Sequence, residues 1–116
     1  MELRVAVASS DGIVVDQHFG RAERFGIYRF TGGNWQHLED RFSRPACAGQ
    51  EHDDGPLERT ADLISDCRGV AVSRLGSGAI DLLISRRIFP FVLELPVPEA
   101  LAVLQNSKLL TRFINQ

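Results

Sequence analysis

The sequence predicts an α/β domain built on a mostly parallel sheet, with helices on both faces and an antiparallel hairpin. Three observations predict it. The short apolar run Leu3-Arg4-Val5-Ala6-Val7-Ala8 ends in Ser-Ser-Asp-Gly, as a buried strand entering a turn does. Two strand-forming segments follow around Gly32-Gly33, the mark of a hairpin. The rest alternates helix, strand, helix, strand, helix, which implies parallel strands joined by crossovers.

The elements follow in chain order. Phe25–Phe30 is the first hairpin strand, Thr31-Gly32-Gly33-Asn34 the turn and Trp35–Phe42 the return strand. Ser43–Asp54 collects proline, glycine and polar residues and reads as a loop. A helix begins at Gly55-Pro56, since proline is tolerated in a first turn, and Leu57, Ala61, Ile64 and Cys67 recur on one face. Gly69–Ser73 has the unbroken apolar character of a strand covered on both sides. Ser77–Arg87 is the next helix, entered through Gly76-Ser77-Gly78. Phe91–Leu95 is the last strand, cut off by Pro96, and Pro98–Leu104 opens the final helix.

A chain of 116 residues with 44% hydrophobic content reads as one domain, 1–116. At that size folding buries roughly two thirds of the unfolded surface, enough for a core without staples. A formal charge of -2 offers no general attraction to nucleic acid or an anionic membrane. No apolar run reaches the roughly 18 to 20 residues of a membrane span. The start Met1-Glu2-Leu3-Arg4 lacks the pattern of a secretory signal, so a cytoplasmic location is expected. Two cysteines in a reducing compartment then act as core filler or as ligands.

The functional interest lies in Asp11–Ala22, a polar loop on the end of the first strand that reads as holding a ligand. Ligands in such sheets gather at the carboxyl ends of the parallel strands, where His18 and Gly76-Ser77-Gly78 both emerge. A loop histidine more often only hydrogen-bonds the backbone, and that reading stays beside the ligand reading. Asp11 and Asp16 are first of all turn residues. Asp53 and Asp54 precede Gly55-Pro56 and are suited to capping. Cys67 lies on the apolar stripe and packs as a small hydrophobe. His37 reads as a solvated strand residue.

Val5-Ala6-Val7-Ala8 with Asp11-Gly12, His18-Phe19-Gly20-Arg21-Ala22 with Phe25, then Cys47, His52-Asp53-Asp54, Val70–Ser73 and Gly76-Ser77-Gly78-Ala79 carry a resemblance. The chain resembles the dinitrogenase iron-molybdenum cofactor biosynthesis family, which includes NifX- and NifY-type carriers and the carboxyl-terminal domain of NifB-type proteins. The resemblance covers roughly residues 3 to 104. It implies a three-layer α/β/α ribonuclease H-like fold with a mixed five-stranded sheet. It also implies a non-catalytic accessory protein that binds the iron-molybdenum cofactor or an iron-sulfur precursor during nitrogenase assembly, with assembly proteins or apo-dinitrogenase as partners. His18 matches the family position implicated in cofactor binding. One departure is Arg86-Arg87-Ile88, which stands where a helix-ending glycine is expected.

The chemistry is compatible. Iron-sulfur clusters are commonly held by thiolates, with imidazole as an occasional substitute. A prebuilt cluster brings its own sulfides, so a transient carrier needs few bonds. His18 is the first candidate ligand, and Cys47 and His52 could close over the same edge. Such a cargo is anionic, so Arg21, Arg24, Arg44 and Arg74 could screen it while the amides of Gly76, Ser77 and Gly78 point at it. Solvated surface arginine is the plain alternative for each. A structural zinc site lacks its paired Cys-x-x-Cys or His-x-x-x-His spacing. Two rival functions remain in view. One is a module that binds a small anion or a protein partner, using the glycine loop and the apolar tail Leu109–Ile114. The other is a metal-dependent nuclease, for which the carboxylates are too few. Oligomeric state is left open.

Overall fold

The computed structural model describes residues 3–43 and 55–110. Strand β1, Leu3–Ala8, sits at the centre of a five-stranded sheet. On one side it pairs antiparallel with β2, Arg24–Thr31, which pairs in turn with β3, Asn34–Phe42. On the other it pairs parallel with β4, Gly69–Val72, and β4 pairs parallel with β5, Phe89–Val92. The order is β3-β2-β1-β4-β5. The mixed five-stranded sheet that the resemblance implies is therefore present, with two antiparallel and two parallel pairings rather than the mostly parallel set expected from the alternation of elements. Gly32 and Gly33 both take positive φ, 58° and 83°, as a two-residue hairpin turn of the primed type demands.

Helices α1, Gly55–Leu63, and α2, Ser77–Ser85, cover one face, and α3, Val97–Gln105, covers the other. Both crossovers, β3 to β4 through α1 and β4 to β5 through α2, step in the same direction across the sheet, so a common right hand puts α1 and α2 on the same side. Alternation in β1 divides its residues between two cores. Ala6 and Ala8 meet Ala61, Ile64 and Leu83, whereas Leu3, Val5 and Val7 meet Ala100, Leu101 and Leu104. No helix among the described residues is long and apolar enough to cross a membrane.

Several boundaries differ from expectation. The first helix stops at Leu63; Ile64 and Cys67 are buried as expected but lie in the tightened turns beyond it, where Ile64 N–H reaches the Ala61 carbonyl at 3.2 Å. The second helix ends at Ser85, two residues short of Arg87. There Arg87 takes φ 61° and Ile88 N–H bonds back to the Leu83 carbonyl at 2.9 Å, a Schellman ending made without glycine. The last strand is Phe89–Val92 rather than Phe91–Leu95, so it includes Pro90 and stops well before Pro96. Phe89 and Leu93 donate to Arg68 and Val72, so the period of two turns position 90 away from β4, where an edge strand tolerates a missing N–H. Helix α3 starts one residue before Pro98 and runs one beyond Leu104.

The hairpin is tied down on both faces. Trp35 packs on Phe30 with ring centroids 5.0 Å apart and donates its indole N–H to Gln105 Oε1 at 3.2 Å. Arg41 reaches the other way, donating to both oxygens of Asp66 at 2.7 and 2.9 Å and to the Leu63 carbonyl at 2.9 Å. Those bonds from Arg41 hold the Asp66 carboxyl well below the usual carboxylate range.

Candidate functional site

The loop after β1 is anchored rather than loose. Asp11 Oδ1 accepts the N–H groups of Ile13 and Val14 at 2.8 and 3.3 Å, and Asp16 accepts the Ser10 N–H and hydroxyl at 2.9 and 2.6 Å. Both aspartates are thus turn residues, and the amides of Ile13 and Val14 lower the Asp11 carboxyl. Val15 is buried and donates to the Leu95 carbonyl at 2.9 Å, while Val97 N–H reaches the Ile13 carbonyl at 2.8 Å.

The chain then returns to the sheet beside the end of β4. Ser73 N–H donates to the Gln17 carbonyl at 2.9 Å, Phe19 N–H donates to the Arg74 carbonyl at 3.0 Å, and His18 and Arg74 form a parallel bridge. Phe19 opens a short 3-10 turn, Phe19–Arg21, and its ring is buried 6.1 Å from that of Phe25. The aromatic residue following His18 is therefore the nail, and the histidine is what it presents.

His18, Gly20 and Arg21 line an open cavity of about 460 Å³ together with Arg74, Leu75, Gly76, Gly78 and Ala79, and Leu57 of α1 joins the lining. The His18 side chain makes no capping bond to its turn and has no hydrogen-bond partner among the described residues. Arg21 and Arg74 are exposed, and neither guanidinium is ion-paired among those residues. Gly76 caps α2, its carbonyl taking the N–H groups of Ala79 and Ile80 at 3.1 Å each. The N–H groups of Ser77 and Gly78 precede those bonds and have no acceptor among the described residues, at the positive end of the helix. One imidazole, two cations and a helix start thus share one hollow with apolar Leu57, Leu75 and Ala79. That set suits an anionic object with a soft or borderline metal surface.

The other expected residues fall elsewhere. Arg24 is on the α3 face of the sheet, where it binds Asp40 at 2.7 Å and the Ser9 carbonyl at 3.1 Å and packs against Gly12. The structure does not bring it to the His18 cavity. Cys47, His52 and Arg44 lie outside the described residues, as do Asp53, Asp54 and the tail from Thr111. Among the described residues no group of three or more His, Cys, Asp or Glu side chains could hold a metal ion. Cys67 is fully buried, and burial pushes its thiol up to about 12. His37 is exposed but not merely solvated, because its Nε2 meets Asp40 Oδ1 at 2.8 Å and its ring lies 5.0 Å from Tyr28.

Sequence reasoning missed Leu57 and Leu75 as walls of the cavity. Leu57 was readable only as part of the helical stripe, and Leu75 stands in a loop with no period to assign it. The carboxylates also follow a pattern: no acidic side chain lines the cavity among the described residues.

The family model described as dinitrogenase iron-molybdenum cofactor matches residues 1–107. The chain belongs to that family. Over 90 residues it is 38% identical to the FeMo cofactor biosynthesis protein NifB of Frankia alni, an overlap of 74% of this chain and 18% of that protein. It is 36% identical over 90 residues to Protein NifY of Klebsiella pneumoniae, covering 77% of this chain and 37% of NifY. The chain thus spans well under half the length of either relative. Among solved structures, PH0822 shares the fold, with a TM-score of 0.63 and 24% identity over 84% of this chain and 83% of that one.

Proposed function

We propose that this member of the dinitrogenase iron-molybdenum cofactor family is a non-catalytic carrier of an iron-sulfur-based cargo, the iron-molybdenum cofactor or its precursor. The observation that supports this most is the imidazole of His18, without a hydrogen-bond partner among the described residues, at the rim of a cavity flanked by Arg21 and Arg74. The ring supplies one bond to iron, and the guanidiniums with the Ser77 and Gly78 amides neutralise the charge of sulfide or carboxylate. A single protein-to-metal bond in an open hollow keeps release within reach, which a carrier requires. Cys47 and His52 are the candidates for further ligation. The cargo passes to or from nitrogenase assembly proteins or apo-dinitrogenase, in the cytoplasm, and the fold is read as ribonuclease H-like on the strength of the family.

The experiment is anaerobic reconstitution. Apo protein mixed with a preformed iron-sulfur cluster capped by small thiols is expected to acquire a charge-transfer absorption that survives desalting. A protein that emerges colourless contradicts the carrier reading. The rival nuclease reading needs carboxylates that converge on a divalent ion, and the described lining of the cavity supplies none. The anion-binding module is a closer rival; inorganic phosphate bound as tightly as the cluster would favour it.

A further inference from the structure

We infer that Gln17 is the positioning residue of the His18 site, stapling the turn that presents the imidazole. The inference rests on the carrier reading above. Gln17 acts at both ends of the turn. Its backbone carbonyl accepts the Ser73 N–H at 2.9 Å, which fixes the entry to the turn against the end of β4. Its side-chain Oε1 reaches across to accept the N–H groups of Glu23 at 3.2 Å and Arg24 at 3.4 Å, which fixes the exit. Both partners are donors, so the amide must face them with its oxygen. Within the staple the turn is closed by Arg21 N–H to the His18 carbonyl at 3.0 Å and by Ala22 N–H to the Phe19 carbonyl at 3.4 Å.

The consequence is pre-organisation. His18 and Arg21 stand inside a segment whose two ends are held by one residue, so their separation from Arg74 is set before any cargo arrives. Without the side-chain staple the exit of the turn is free to move, and binding must then restore its order. Phe19 and Ala22 are buried and take no bond from the Gln17 side chain, which separates the fold from the positioning of the imidazole.

Gln17→Met is the informative variant, because it keeps the length of the side chain and removes the acceptor. The probe is the thiol-capped iron-sulfur cluster, titrated anaerobically and followed by absorption. Losing the net value of one or two hydrogen bonds corresponds to about fivefold to thirtyfold weaker binding. Amide exchange at Glu23 and Arg24 accelerates in parallel. Gln17→Glu keeps an acceptor in reach, so at high salt, where its charge is screened, affinity stays within about twofold of wild type. Wild-type affinity in Gln17→Met despite lost protection at Glu23 and Arg24 overturns the positioning role and leaves the carrier reading standing. Absence of cluster binding in the wild type overturns both. If Gln17→Met does not fold, Gln17→Glu decides: a folded, protected variant that binds weakly at high salt overturns the inference.

Discussion

Phe19 donates its backbone N–H to the Arg74 carbonyl at 3.0 Å, and through this bond the loop after β1 is joined to the loop after β4. Its ring is buried beneath the same joint. Phe19→Ala should therefore both destabilise the domain, by about 3 to 5 kcal/mol as for other buried phenylalanines, and loosen the site. Urea unfolding measures the first effect. A loss below about 1 kcal/mol would mean that the ring is not the anchor described.

Arg87 occupies φ 61° at the end of α2, a conformation that costs a residue with a Cβ about 1 to 2 kcal/mol and glycine almost nothing. Arg87→Gly should raise stability by about 1 kcal/mol, whereas Arg87→Ala should not. Equal urea midpoints for the two variants would contradict this.

Asp66 illustrates a pH dependence whose sign follows from its partners. Hydrogen bonds from Arg41 and Arg4 lower its carboxyl in the folded protein. A group depressed on folding contributes stability that is fully present above its unfolded value, about 3.9, and is lost as pH falls through the folded value. Stability should thus decline below about pH 4, and Asp66→Asn should lower stability at neutral pH and flatten that decline. An unchanged acid limb in Asp66→Asn would assign the dependence to other carboxyls.

Cys67 makes the opposite case, a titratable group kept silent. Its thiol is buried and pushed up to about 12, so Cys67 in the native protein should resist alkylation at neutral pH and react only on unfolding, whatever the reactivity of Cys47. Mass spectrometry after iodoacetamide treatment reads this directly. Cys67→Ala should cost about 1 to 2 kcal/mol of stability. Rapid native alkylation of Cys67 would contradict its place in the core.

How far these features were legible depends on whether they are local. The alternation after the hairpin, the apolar stripe of α1 and the turn at Gly32-Gly33 are local signals, and the sheet follows from them. The last strand begins before Phe91 because the tolerance of Pro90 depends on which side of β5 faces β4, a fact of pairing. Arg24 is expected near the edge that carries His18, where it could screen an anionic cargo, but the strand alternation of β2 turns it to the other face, toward Asp40. Gln17 gave no signal at all: its function is to accept from Glu23 and Arg24, which only the closed turn brings within reach. Histidine at a strand end was readable; the apolar walls from Leu57 and Leu75 required the fold.

The most direct measurement compares wild type with His18→Ala, each loaded anaerobically with the same thiol-capped cluster and passed through a desalting column. The wild type should retain the cluster and the variant lose it by about tenfold or more, with unfolding free energies that agree within about 0.5 kcal/mol. Equal retention by both proteins would remove His18 from the site and with it the central claim.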